Sequence, residues 1–285
     1  MNRDRRAIMA RETVAICEAG FYDAPNGTRV NIEDDLARAK AGTVFYSPEK
    51  PPVVRTKEAK STTRIEVKNE TTFQALARLP ASGRGHSACL NFASAKNPGG
   101  GFLNGSLAQE EALACASGLY PCLLKAPEFY ERNRANRSAL YLDLAIFSPQ
   151  VPFFRNDAGI LLNKPILASV ISVPAPNAGA VAENEAANVP QVEPTMRRRA
   201  ELLLRIASAH QVERIVLGAW GCGVFRNEPR TVARIFAELL GGNFSGAFEE
   251  VVFAVFDRSE NLAIYLAFAE RLKTSKAAPQ NGNEA

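Results

Sequence analysis

Along the chain, apolar residues recur at helical spacing in some segments and bunch into short, β-branched runs in others. The alternation of these patterns predicts strands interleaved with helices. Ala7, Ala10, Val14 and Cys17 return every three or four residues and predict a helix over 4–19, stopped by Gly20. A short strand is expected over 29–32, a short helix over 34–40 and an apolar stretch over 43–46, before Pro48, Pro51 and Pro52 impose an extended connection. Ile65 and Val67 mark a strand over 63–67. Phe73, Leu76 and Leu79 mark the apolar side of a helix over 70–79, and 80–87 reads as a loop. Residues 88–93 are a mostly apolar run bounded by turn residues, the form of a strand buried on both faces. A helix is expected from Gln109, short helical pieces over 127–134, a strand over 142–147, and a buried strand over 165–173 that ends in the turn PAPNAG. Residues 184–192 read as a loop. Over 194–210, Met196, Ala200, Leu203 and Ile206 line one helical face, while Arg197, Arg198, Arg199 and Arg205 are expected largely elsewhere, the run of three on a solvated face. A buried strand over 214–219, a helix over 229–240 opened by Pro229, a strand over 248–256 and a helix over 259–272 complete the pattern. The order predicts an α/β fold with a mixed sheet covered on both faces. Residues 1–60 form an accessory front section, 61–273 the core, and 274–285 a polar tail expected to be disordered from about 275.

Composition narrows this little. The chain has 285 residues, 46% hydrophobic and 22% charged, enough for a sizeable core. A net charge of +4 is a mild basic excess; it fits a phosphate-bearing ligand and does not by itself indicate nucleic acid. The five cysteines show no CxxC spacing and the two histidines, His86 and His210, lie far apart, so no zinc site is expected. Reduced thiols in a cytoplasmic protein are the simplest reading. The charged start has the form of neither a signal peptide nor an anchor, and no apolar run reaches the ~18 residues that a membrane-spanning helix needs.

Two glycine-rich loops share one context, each following an apolar strand and preceding a helix. The first holds Asn97, Gly99, Gly100 and Gly101; the second runs GAWGCGVF through Gly221, Cys222, Gly223, Val224 and Phe225. Ligands of open α/β sheets bind beyond the carboxyl ends of strands. Glycine there lets backbone N–H groups approach an anion, aided by the following helix dipole. Either loop alone is equally well a plain strand-to-helix turn; together they could grip a diphosphate. Neither matches a P-loop or a GxGxxG fingerprint. Glu110 and Glu111, beside Gln109, follow the first loop. Acids in a first helical turn complement the dipole by roughly 0.3–1 kcal/mol, and that alone explains most such pairs. Neighbours on a helix point about 100° apart, so the two carboxylates are also able to serve a reacting oxygen and its support. A general acid must hold its proton near neutral pH, an upward shift of about two units from the ordinary glutamate value. Phe225 fits a core aromatic or a ring packed on ribose or base. Cys222 reads as packing, not as a nucleophile.

GGG, seven residues, then QEE (Gly99 to Gly101, Gln109 to Glu111) resembles the poly(ADP-ribose) glycohydrolase motif. The stretches NFASAKNPGGGF, ISVPAPNAG and GAWGCGVFRNEP are similar to the bacterial-type, microbial branch of that family. The resemblance implies a macrodomain, a three-layer mixed sheet between helices, with an N-terminal helical extension. It implies hydrolysis of ribose–ribose O-glycosidic bonds, mainly exo, releasing ADP-ribose. By motif position it implies Glu111 as general acid/base and Glu110 as its support. Gly99, Gly100 and Gly101 would be the catalytic loop, Gly221, Cys222, Gly223 and Val224 the diphosphate loop, Phe225 a wall of the distal ribose, and Asn91, Asn97 and Gln109 further substrate contacts. The implied partners are poly(ADP-ribose), ADP-ribose and poly(ADP-ribosyl)ated proteins, with no membrane, no sequence-specific nucleic acid, no metal or other cofactor, and a monomeric state. An ADP-ribose reader and a mono(ADP-ribosyl) hydrolase remain the alternatives; the glutamate pair argues against the reader, which needs no acid.

Overall fold

The structure, a computed structural model, describes residues 1–53, 62–79 and 86–272. Most of the loop expected over 80–87, the boundary expected at 60/61 and the tail expected to be disordered lie outside the described residues. The chain opens with α1 (Arg3–Ala19), whose first turn is capped by the Asn2 side chain accepting from the Arg5 N–H. It ends at Gly20, which adopts the left-handed conformation at φ +77°. There follow a hairpin of β1 (Phe21–Asp23) and β2 (Arg29–Asn31), then α2 (Glu33–Ala41) and β3 (Val44–Tyr46). Next come β4 (Arg64–Lys68), α3 (Thr72–Arg78), β5 (Ser87–Phe92), α4 (Gln109–Ala116), α5 (Leu119–Leu123), α6 (Pro127–Ala135), β6 (Ala145–Arg155) and β7 (Leu161–Val173). The chain closes with α7 (Ala178–Asn184), α8 (Val192–Ala209), β8 (Arg214–Leu217), α9 (Pro229–Gly241), β9 (Glu250–Ala254) and α10 (Ala263–Arg271).

Among the described residues the main sheet has the order β3-β6-β7-β5-β8-β9-β4. β7, β5, β8, β9 and β4 run parallel, and β6 and β3 add an antiparallel edge. Because side chains alternate between the faces of a strand, each central strand feeds two apolar layers. Leu90, Ile171, Ile215 and Val251 face α8 and α9, packing with Met196, Leu203 and Phe236. Cys89, Val170, Val216 and Val252 face the other way, with Phe73, Leu113, Leu119 and Phe129. The continuous apolar runs seen in the sequence follow from this double burial, and the expected three-layer mixed sheet is the architecture found. Among the described residues no helix is long and apolar enough to cross a membrane.

Several elements differ from expectation. The expected strands over 142–147 and 165–173 are the ends of a long β6–β7 hairpin, whose register shifts between Ser148 and Val151. Pro149 and Pro152 hide that continuity in the sequence; the bulge takes up Pro149, with Gln150 at φ +45°, while Pro152 lies opposite Leu167 in the ladder. β3 pairs with β6, so the front section contributes an edge strand to the core sheet. The final helix starts at Ala263, not 259, because Asp257 gathers the preceding turn by accepting from the N–H groups of Ser259, Ile264 and Tyr265. The loop expected over 184–192 contains the short 3₁₀ helix Ala186–Gln191.

Arg199 is a correction to the solvated arginine face. It is fully buried and donates to the Pro174 carbonyl at 2.9 Å, the Leu140 carbonyl at 2.6 Å and the Asp143 carboxylate at 2.9 Å. In three consecutive helical positions the directions fan out, and Arg199 falls beside Met196, Ala200 and Leu203 on the inward stripe. The two histidines, distant in sequence, also meet. His86 Nδ1 lies 3.2 Å from the His210 carbonyl and His210 Nε2 lies 2.7 Å from Tyr46 Oη, at the opposite end of the sheet from the glycine loops.

Candidate active site

β5 and β8 are parallel neighbours, so the loops that follow them leave from the same edge of the sheet. The first loop is a chain of tight turns. The Gly100 N–H donates to the Asn97 carbonyl at 3.0 Å and the Phe102 N–H to the Gly99 carbonyl at 3.3 Å. Gly99 and Gly100 sit at φ +69° and +60°, where an L side chain is strained. A Cβ on Gly99 would lie 2.9 Å from the Phe102 ring, and one on Gly100 would run into Glu111 Oε1 and come within 3.2 Å of Glu110 Oε2. The glycines thus let the backbone fold over the first turn of α4, and the Gly101 N–H donates to Glu111 Oε1 at 3.0 Å. Asn97 is exposed and contributes its carbonyl to the turn.

The two glutamates have different surroundings. Glu111 is half-buried against the loop. Glu110 is 3% exposed, accepting from the Ser94 N–H at 2.6 Å and from Asn91 Nδ2 at 3.1 Å. Burial pushes its carboxyl up to about 8, and the Glu111 charge adds to this against the opposing donors from Ser94, Asn91 and Gly99. An acid whose folded pKa exceeds its unfolded value stabilises the fold at low pH, and that contribution is lost as pH rises through the folded pKa. Glu110 therefore makes stability fall from about pH 4.5 to about pH 8. The expected result is that Glu110→Gln gains thermal stability relative to the parent as pH is raised across that window. Melting curves of the two proteins at matched pH check it, and a difference constant with pH would contradict it.

Two residues expected to touch substrate make hydrogen bonds within the protein. Asn91 is fully buried and also donates to Ser172 Oγ at 3.0 Å. It shares its strand face with Cys89, towards α4, and its Nδ2 supports Glu110 from within the protein. Gln109 accepts from the Phe92 N–H at 2.9 Å and donates to the Leu90 carbonyl at 2.7 Å and Thr72 Oγ1 at 3.1 Å. Its amide imitates a neighbouring strand and pins the start of α4 to β5.

The second loop is braced from below. Trp220 is fully buried and donates from Nε1 to the Val173 carbonyl at 3.2 Å. Gly221 sits at φ +73°, and a Cβ there would lie 2.5 Å from Asn227 Nδ2 and 2.7 Å from Ala175 Cβ. Asn227, which the sequence reading missed, is 4% exposed and ties the loop together by donating to the Pro176 and Gly221 carbonyls. Beyond it the loop opens. A Cβ on Gly223 would meet nothing within 4 Å, and Val224 is 87% exposed. Among the described residues the N–H groups of Gly223, Val224 and Phe225 have no protein acceptor. Successive free backbone donors are the kind of group that binds an anion. Phe225 is half-buried, its ring 6.1 Å from that of Tyr141. Cys222 is buried, which raises its thiol pKa and suits packing. Just past β9, Phe256 is 53% exposed with the Arg258 guanidinium 4.6 Å over its ring. This aromatic platform is legible in the sequence only as an aromatic closing an apolar strand. Among the described residues no group of three or more His, Cys, Asp or Glu is placed to hold a metal ion.

The family model for the microbial-type PARG catalytic domain matches residues 10–156. No curated protein matches. Among solved structures, the poly(ADP-ribose) glycohydrolase from Thermomonospora curvata is 46% identical, with a TM-score of 0.90 over 94% of this chain and 100% of that one. The same protein bound to the inhibitor ADP-HPD is 47% identical, with a TM-score of 0.88 over 94% and 100%. The poly(ADP-ribose) glycohydrolase from Deinococcus radiodurans in complex with ADP-ribose is 47% identical, with a TM-score of 0.77 over 84% and 98%. Joined to a macrodomain-like sheet and a glutamate pair under a triple-glycine loop, these likenesses have one meaning: the chain belongs to the microbial-type poly(ADP-ribose) glycohydrolases, glycoside hydrolases that act on poly(ADP-ribose).

Proposed function

We propose that the chain removes ADP-ribose units from the ends of poly(ADP-ribose), with Glu111 as general acid and then general base. The observation that carries this reading is the position of Glu111. Its carboxylate lies at the open side of the triple-glycine loop, 3.0 Å from the Gly101 N–H, whereas Glu110 is sealed behind it. The free N–H groups of Gly223, Val224 and Phe225 take the diphosphate, and the Phe225 ring flanks the distal ribose. Glu111 gives its proton to the bridging oxygen as the bond from that oxygen to the anomeric carbon breaks, so the rest of the polymer departs as an alcohol. The oxocarbenium-like ribose is stabilised by nearby carboxylate and phosphate charge. Water then attacks the anomeric carbon and returns a proton to Glu111. The polymer is presented on modified proteins, and five free thiols suit the reducing cytoplasm.

Incubation with poly- and mono(ADP-ribosyl)ated protein tests the reading. ADP-ribose should appear from the polymer, with the last protein-linked unit left in place. Release of that last unit overturns the polymer-specific claim. Phe256 and Arg258 give the adenine end a stacking face. Base–aromatic stacking contributes about 1–3 kcal/mol, so Phe256→Ala should raise KM by roughly tenfold with kcat little changed. An unchanged KM would remove the platform from the site.

A further inference from the structure

We infer that the amino-terminal helix α1 positions the catalytic loop, with Arg6 and Thr13 as its positioning residues. This rests on the role given above to Glu111 and the triple glycine. The outer side of that loop is held by its own turn hydrogen bonds, from the N–H groups of Asn104 and Ser106 to the Gly101 carbonyl and from that of Gly105 to the Phe102 carbonyl, while Leu103, Asn104, Ser106, Leu107 and Ala108 are all exposed. Two guanidinium groups from α1 reach consecutive carbonyls at its turn. Arg3 Nε donates to the Asn104 carbonyl at 2.9 Å and Arg6 Nε to the Gly105 carbonyl at 2.8 Å. Gly105 sits at φ +71°, and a Cβ there would collide with the Arg3 carbonyl, so backbone meets backbone.

The contact continues inward. Ala10 is fully buried with Phe102 and Ala114, and the Phe102 ring is the surface against which Gly99 turns. Thr13 is 1% exposed and its Oγ1 donates to the Cys115 carbonyl at 2.7 Å, in the last turn of the helix that carries Glu111. α1 therefore fixes both partners of the Gly101–Glu111 hydrogen bond, the loop through Arg6 and the helix through Thr13. Among the described residues it makes no such bond to the second loop, so its loss should loosen the acid relative to the bond being cut without removing the diphosphate grip.

The test uses the full chain and the variants Arg6→Ala, Arg6→Lys, Thr13→Val and the Arg6→Ala/Thr13→Val pair. A misplacement of about an ångström at a reacting group costs up to ~100-fold, and the double variant is expected to lose about tenfold or more in kcat on poly(ADP-ribose). Its Kd for ADP-ribose, measured by calorimetry, should stay within about twofold, since α1 lies off the diphosphate loop. Arg6→Lys keeps a donor and should recover part of the loss. Amide hydrogen exchange over 99–108 should quicken in the double variant, a readout independent of turnover. Unchanged kcat and unchanged exchange overturn the inference. So does a parallel loss of kcat, ADP-ribose affinity and melting temperature, which would make α1 a general stabiliser. An inactive parent chain that still protects its loop through Arg6 and Thr13 would overturn the glycohydrolase mechanism and leave the positioning contact measured by exchange.

Discussion

Glu111→Gln is expected to lower turnover of poly(ADP-ribose) by about 10³-fold while leaving ADP-ribose affinity nearly unchanged, general acid–base catalysis contributing roughly 10²–10⁴-fold. Glutamine has the size of glutamate and keeps an oxygen to accept the Gly101 N–H, so the loop and the first turn of α4 stay in place. It has no proton to give an alkoxide leaving group and cannot take one from water. Single-turnover release of ADP-ribose, set beside calorimetric binding of ADP-ribose, separates the two effects. A variant with full turnover would move the acid elsewhere, and Glu110 would be the first candidate. Burial carries the Glu110 carboxyl up to about 8, so its protonation does not rule it out. Reach decides against it. Glu110 is 3% exposed, and both its oxygens are engaged by Ser94 and Asn91 from within the protein. The raised pKa of a buried neighbour reports the dryness of the site, not the identity of the group that touches substrate.

How much of this was legible in the sequence follows from the range over which each signal acts. Apolar runs report burial, so the central strands were read close to their ends, and glycine loops beside acids report local backbone demands. The motif and the strand context together point to Glu110, Glu111 and both loops, which the fold brings to one edge of the sheet. What escaped depends on partners far along the chain. Nothing near Asn91 or Gln109 says that their amides close on Glu110 and on strand backbone; each reads as a polar residue beside a ligand loop. Arg199 looks like its two arginine neighbours until Asp143 and the carbonyls of Leu140 and Pro174 are brought to it. The role of α1 was invisible for the same reason: Arg6 and Thr13 sit on an ordinary amphipathic helix, about a hundred positions from the carbonyls they bind.

Gly100→Ala tests the same carboxylate from the other side of the contact. The backbone there is at φ +60°, and placing an L residue in the left-handed region costs roughly 1–2 kcal/mol. That strain lowers the stability of the fold; the chemical effect has a separate cause. The new methyl group would occupy the place of Glu111 Oε1, with Glu111 Cδ 3.0 Å away and Glu110 Oε2 blocking retreat at 3.2 Å. Glu110 is held by its own hydrogen bonds, so Glu111 must give way, by about an ångström, enough to lose ~100-fold in rate. Turnover of poly(ADP-ribose) should therefore fall about 10²-fold with a modest drop in melting temperature. Gly223→Ala, where a Cβ meets open space, should leave stability unchanged and serves as the control for a glycine substitution in a loop of this site. If both Gly100→Ala and Glu111→Gln act through one carboxylate, their effects cannot add. The double variant should be no slower than Glu111→Gln alone, because a displaced amide that donates no proton has nothing further to lose. A double variant slower by the product of the two single effects would show that the loop presses on the ribose directly, independently of Glu111, and would divide between the two residues a task that the contact geometry gives to one.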